Sequence, residues 1–167
     1  MRLLQLLPAS SAGAGGVVVA QFGVGLIGSS ILRALRLRGL EAEEALDFGW
    51  DLERGPASAQ LAKIGEGVAR RLEATPGASW AVVWSAGRAG FSAGLAETEQ
   101  EFARFDAAME WAERLGEELG APPLVHLLSS AGGLFEGCGL VTRETPPSPR
   151  RPYGVLKERQ EERLREA

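Results

Sequence analysis

The sequence predicts an α/β fold in which a doubly wound parallel β-sheet carries helices on both faces. Short apolar runs, each suited to a strand buried on both faces, alternate with longer segments whose apolar residues recur at helical spacing. Strands and helices that alternate in this way form a parallel sheet, because each helix supplies the crossover between two strands. A length of 167 residues suits one compact domain, so we expect residues 1–167 to form a single domain.

The first half of the chain predicts two strands and two helices. The run VVVAQF at 17–22 indicates a strand buried on both faces. The following GVGLIGSSILRALRLRG predicts a helix, for which Gly39 is a suitable stop. The segment EEALDFGW at 43–50 is a weaker strand, and the amphipathic stretch at 57–74 predicts the second helix.

The second half predicts two more strands and two more helices. SWAVVWSAG at 79–87 and PPLVHLLSS at 122–130 are apolar runs that indicate strands. The longest helix signal lies between them at 96–119, and its apolar side is broader than one sheet face requires. Pro152 suits the first position of a final helix that continues as YGVLKERQEERLREA.

Some notable residues are expected to be structural. His126 lies in the middle of a predicted strand, where a core or crevice position is the expected one. The four tryptophans are expected to be packing residues. Glu97, Glu99 and Glu101 are expected to be solvated positions on the long helix, since no matching carboxylate partner suggests glycoside chemistry.

Composition excludes several classes of protein. A net charge of -4 argues against nucleic-acid binding, because such surfaces are normally basic. Cys138 is the only cysteine, so no internal disulfide forms, and no Cys/His cluster predicts a metal site. The apolar start resembles a signal peptide, but Pro8 and several glycines interrupt it, and no run of about 20 apolar residues predicts a membrane span. We therefore expect a cytoplasmic protein that binds no membrane.

A glycine-rich turn points to a dinucleotide. Gly23, Gly25 and Gly28 form a GxGxxG pattern directly after a buried strand and at the start of a helix. The first glycine permits a tight bend, the second lets backbone approach a pyrophosphate, and the third lets helix pack on strand. N–H groups at the helix start, at Leu26 and Ile27, would face the phosphates. The alternative is that a chain with 22 glycines contains the pattern for packing alone.

The adenosine ribose calls for an acidic residue some 20 positions further on. Asp47 and Asp51 both lie near that distance, and either is equally compatible with a solvated turn. If Asp47 ends the second strand, the acid favours NAD over NADP.

The C-terminal helix places the only tyrosine, Tyr153, four residues before Lys157, one of two lysines. Residues so spaced share one face of a helix, about 6 Å apart. An ammonium beside a phenol stabilises the phenolate, and a lysine is also flexible enough to reach a ribose hydroxyl. The alternative is an unremarkable pair on a charged helix surface.

Together, these segments resemble the extended short-chain dehydrogenase/reductases, also called NAD-dependent epimerases/dehydratases. ETPPSPRRPYGVLKERQEERL is similar to that family's YxxxK segment, LVHLLSSAGGLFEG to its serine-bearing turn, and VVWSAGRAG to the strand and turn on the nicotinamide side. The likeness covers most of the chain and implies a Rossmann-like cofactor domain with NAD, or NADP, as cofactor.

The resemblance also implies roles for individual residues. Tyr153 would be the general acid/base, Lys157 its partner and a ribose ligand, and Ser129 or Ser130 the hydroxyl that orients the substrate, with Ser130 favoured. Ala86 and Gly87 would let the cofactor pass close to backbone. The implied substrate is a small hydroxyl-bearing molecule such as a nucleotide sugar. A homodimer through the helices near 96–119 and 152–165 would be expected.

The chain also departs from the family pattern. Extended members commonly space the first two glycines one residue wider than Gly23 and Gly25. They also continue past the Tyr/Lys helix into a C-terminal substrate lobe, whereas this sequence stops at Ala167. We expect a truncated cofactor half, either a fragment or a naturally short relative. A non-catalytic cofactor-binding module is the alternative to an enzyme.

Overall fold

The computed structural model describes residues 2–8, 16–38, 40–47 and 57–166; for 2–8 and 40–47 it gives the backbone only. The elements follow in the order β1 (Arg2–Pro8), β2 (Val17–Phe22), α1 (Leu26–Leu37), β3 (Leu40–Asp47), α2 (Ala57–Ala74), β4 (Ser79–Trp84), α3 (Leu95–Leu119), β5 (Leu124–Leu127), α4 (Ala131–Leu134) and α5 (Pro152–Arg165). The α/β architecture is confirmed: β2, β4 and β5 form a three-stranded parallel sheet flanked by helices.

The strand order, β3-β1-β2-β4-β5, contains one strand that was not expected. β1 lies between β2 and β3 and pairs antiparallel with both. Only the short segment 9–16 joins β1 to β2, which is too short for the crossover that a parallel neighbour needs. The apolar start of the chain is therefore a strand of the sheet.

At the other end of the strand order, β5 differs from the prediction for 122–130. The strand is four residues long, and none of its side chains is fully buried. His126 is exposed, so its expected place in the core or a crevice was wrong. The reason is the end position, because a strand with one described neighbour is covered less than β2 or β4.

The described chain divides into two compact units. The first comprises 1–86 and 108–126, and the second comprises 87–107 and 127–167. Helix α3 contributes its first half to the second unit and its second half to the first.

The core of the first unit is aromatic. Trp111 of α3 packs edge-on against Trp80 of β4 and Phe22 of β2, with ring centroids 6.0 and 5.9 Å apart. The Trp80 indole N–H donates to the Ala121 carbonyl at 2.6 Å. The predicted packing role of the tryptophans is thus confirmed for Trp80, Trp84 and Trp111, while Trp50 lies outside the described residues.

The broad apolar side of α3 is covered inside the chain. Phe105, Met109, Trp111 and Leu115 are all buried. The surplus apolar surface that motivated a dimer is largely accounted for in this way, and the homodimer stays a prediction.

The turn after β2 is packed too tightly for side chains at two of its glycines. Gly23 has a φ of +93°, and a Cβ there would lie 2.5 Å from backbone atoms of Ala86. A Cβ on Gly28 would collide with the Gly23 carbonyl and come within 2.8 Å of Ser85 Oγ. A Cβ on Gly25, by contrast, would meet no atom of the described residues within 4 Å.

Gly28→Ala is therefore expected to destabilise the protein by at least about 2 kcal/mol, because α1 would have to move away from β2. Inside a helix, alanine is ordinarily favoured over glycine by about 1 kcal/mol, so the packing reverses the usual sign. Gly25→Ala is the matched control and should cost less than about 1 kcal/mol, the scale of an alanine at an N-cap. Denaturant unfolding of the three proteins measures both effects, and equal stabilities for the two variants would contradict the packing.

Candidate functional site

Hydrogen bonds from two side chains hold the glycine-rich turn against the segment that follows β4. Gln21 is fully buried, and its amide nitrogen donates to the carbonyls of Gly23 and Gly28 at 3.1 and 2.8 Å. Ser85 donates to the Gly23 carbonyl at 2.7 Å. The parallel register pairs Phe22 with Trp84, so the two strands end level and their turns meet.

The start of α1 has the features of a phosphate cradle. Its N-cap is Gly25, which has no side chain to accept a capping hydrogen bond, and its first turn contains no acidic residue. Leu26 and Ile27 are exposed, and the space beside Gly25 is open. Uncapped N–H groups at a helix start attract anions, so the turn fits a pyrophosphate.

The candidate ribose acid, Asp47, lies at the same end of the sheet as the glycine-rich turn, but two strands away from it. In the backbone register, Arg2 of β1 faces Asp47 at the end of β3, and Leu3 faces Phe22 at the end of β2. Because β1 lies between them, the two strand ends are separated by two strand spacings, or about 10 Å. The side chain of Asp47 and the whole of Asp51 lie outside the described residues, so the ribose assignment stays a prediction.

In the second unit, α5 brings Tyr153 and Lys157 together. α5 begins at Pro152, and the Lys157 ammonium nitrogen lies 5.7 Å from the centre of the Tyr153 ring. The Tyr153 ring also packs on Phe91, with centroids 5.2 Å apart. The predicted pairing on one helix face is therefore present.

Lys157 is buried, which the charged appearance of its helix did not indicate. It is 5% exposed, and its ammonium donates to the Gln160 side-chain oxygen at 2.9 Å. Burial lowers the pKa of Lys157 below 10.5, while the negative charge of Glu101 acts in the opposite direction.

The two candidate serines have different hydrogen-bonding roles. Ser130 is the N-cap of α4, and its hydroxyl oxygen accepts the Gly133 N–H at 3.2 Å. Ser129 is exposed and donates its hydroxyl proton to Glu161 at 2.5 Å. A hydroxyl that accepts a cap still has its own proton to donate, so Ser130 retains a hydrogen bond for a further partner.

In the SAG turn, Ser85–Gly87, the last two residues contact different groups. The Ala86 backbone packs against Gly23 in the first unit. Gly87, in the second unit, has a φ of +148°, and the Glu101 carboxylate occupies the place that a Cβ would take.

Glu101 has a buried carboxylate, which the sequence did not indicate. It was expected to be solvated, as Glu97 and Glu99 are, but it is 6% exposed. Its carboxylate accepts the N–H groups of Arg88 and Ala89, both at 2.9 Å. The expectation was wrong because helical spacing does not show which side of α3 a loop will cover.

Neither a metal site nor a membrane span is found in the part of the chain that the structure describes. Its His, Cys, Asp and Glu side chains form no group of three that could hold a metal ion. None of its helices is both long and apolar enough to cross a membrane.

No family model and no curated protein matches the sequence. Among solved structures, the chain is similar to a short-chain dehydrogenase/reductase superfamily protein from Agrobacterium tumefaciens, whose crystal structure contains bound NAD. The TM-score is 0.51 at 22% sequence identity, and the match covers 89% of this chain and 44% of that one. The chain thus spans less than half the length of this neighbour. At this level of identity the similarity shows the fold alone, and the chain has a Rossmann-like α/β fold.

Proposed function

We propose that the protein is an NAD-dependent oxidoreductase of the short-chain dehydrogenase/reductase type. In its finer form the proposal is an extended, epimerase- or dehydratase-like enzyme that acts on a hydroxyl-bearing substrate such as a nucleotide sugar. The observation that carries it is the placement of a buried Lys157 ammonium 5.7 Å from the ring of Tyr153.

The glycine-rich turn would hold the cofactor. Its open space at Gly25 and the uncapped N–H groups of α1 suit a pyrophosphate. The bound NAD of the Agrobacterium tumefaciens protein supports a dinucleotide in this fold. When bound, the nicotinamide ring supplies the acceptor for a hydride from the substrate carbon.

Tyr153 would take the proton from the substrate hydroxyl, while the hydride leaves the carbon that bears this hydroxyl. The two losses balance, since an alcohol becomes a carbonyl by losing one proton and one hydride. Lys157 would stabilise the phenolate by its charge. Ser130 would orient the substrate oxygen with the hydroxyl proton that its capping role leaves available.

A second candidate is a cofactor-binding module without turnover. Cofactor binding is common to both candidates, and substrate oxidation separates them.

The first prediction concerns cofactor binding. Titration with NADH, followed by nicotinamide fluorescence, should show saturable binding that Gly25→Val abolishes, because the valine fills the space beside the pyrophosphate. A parallel titration with NADPH identifies the preferred cofactor. Gly139→Val is the matched control, since its side chain also enters open space but lies far from the turn in sequence. If neither cofactor binds to the wild type, both candidate functions are wrong.

The second prediction concerns turnover. With a hydroxyl substrate found in a nucleotide-sugar screen, Tyr153→Phe should lower kcat at least about 100-fold, the scale of general acid/base catalysis. The variant keeps the ring that packs on Phe91, so its fold and NADH affinity should be unchanged. Turnover that survives this substitution would remove Tyr153 from the mechanism.

The third prediction concerns the charge on Lys157. Its folded pKa lies below the unfolded 10.5, so between these values the unfolded chain binds more protons and stability rises with pH. The free energy of unfolding of the wild type, relative to Lys157→Met, should therefore increase as pH rises through the folded pKa towards 10.5. Denaturant unfolding at a series of alkaline pH values measures it. An equal pH-dependent difference for Lys63→Met, which removes an exposed lysine, would contradict burial as the cause.

A further inference from the structure

A buried carboxylate with an incomplete set of partners lies near the start of α3. Both hydrogen bonds to Glu101 go to one oxygen, Oε2, from the backbone of Arg88 and Ala89. The other oxygen, Oε1, is buried and has no hydrogen-bond partner among the residues that the structure describes. Burial of a charged carboxylate is costly unless opposite charge lies nearby, so this arrangement calls for a cation.

Among the described residues of the same unit, the buried cation is Lys157. Its one hydrogen-bond partner among them is the neutral side chain of Gln160, which satisfies a donor but cancels no charge. The negative charge of Glu101 raises the pKa of Lys157 and so acts against the effect of burial. Each of these buried charges thus offsets part of the desolvation cost of the other.

Two ion pairs fix α5 beside the first half of α3. Arg159 pairs with Glu99, and Arg163 pairs with Asp106 at 2.8 Å. The Arg159 guanidinium also lies 4.0 Å from the centre of the Phe102 ring. Glu99 and Asp106 are therefore engaged by arginines on α5, and Glu101 is the acid on α3 whose charge acts on Lys157.

We propose that Glu101 is a positioning residue for Lys157. Its charge keeps the buried ammonium protonated, and its two hydrogen bonds hold the 87–89 segment that follows β4. The catalytic meaning of this role rests on the proposed function, because Lys157 acts through Tyr153. The electrostatic link itself does not depend on that function.

The test uses the scarcity of lysine. The sequence contains only Lys63 and Lys157, so protein labelled at the lysine Cε gives two NMR signals, which a Lys63→Arg variant assigns. Each signal is followed through an alkaline pH titration without cofactor. Glu101→Gln removes the charge but keeps an oxygen that accepts the Arg88 and Ala89 N–H groups. The Lys157 midpoint should shift to lower pH, while that of Lys63, exposed on α2, should not move.

Glu97→Gln is the matched control, since it removes an exposed carboxylate from the first turn of the same helix and should leave both midpoints in place. A Lys157 midpoint unchanged in Glu101→Gln, or shifted equally by Glu97→Gln, overturns the proposal. If Glu101→Gln does not fold, Glu101→Asp decides: withdrawing the carboxylate by one methylene should also lower the Lys157 midpoint, and no shift overturns the proposal. NADH titration of the wild type tests the proposed function separately.

Discussion

The level ends of β2 and β4 are the constraint on which the candidate phosphate site depends. Parallel pairing from Val17 with Ser79 to Phe22 with Trp84 makes the two strands stop together. The chain segments that leave them, Gly23 and Ser85–Ala86, must then share one small space, which only a residue without a side chain allows at Gly23. The Gln21 amide nitrogen donates to the carbonyls of Gly23 and Gly28 and so joins the turn to the start of α1. The exposed start of α1 is a consequence, because the same packing fixes where the helix begins.

Much of this arrangement was predictable because its signals are local. A buried β-branched strand, a turn that needs glycine and a helix with one apolar side are each encoded within about 20 residues, and β2 and α1 lie where the sequence predicted them. The same holds for α5, where proline at its start and the spacing of Tyr153 and Lys157 define both the helix and the shared face. The antiparallel strand β1 was missed because its apolar residues resemble a signal peptide, and the sequence does not indicate the strands with which they pair.

The features that escaped prediction all depend on contacts between segments distant in sequence. Glu101 is acidic, lies on a charged helix and carries no pattern of its own, yet a loop 12 to 13 residues away in sequence covers it. The different hydrogen bonds of Ser129 and Ser130 likewise depend on α4 and on Glu161 of α5, which the spacing of two adjacent serines does not reveal. A signal for Glu101 existed only in retrospect, in the SAG turn whose glycine leaves room for a carboxylate.

The tryptophans and the tyrosine fall in the sequence ranges of different units, which makes each unit spectroscopically distinct. All four tryptophans fall in the sequence ranges of the first unit, and the only tyrosine falls in the second. Trp84 packs on Phe22, with ring centroids 5.4 Å apart, and Phe22 directly precedes the glycine-rich turn. Tryptophan emission therefore reports on the unit with the candidate phosphate cradle, and tyrosine absorbance reports on the unit with the candidate acid/base pair. The unfolding of each unit can therefore be followed through its own natural chromophore, without an introduced label.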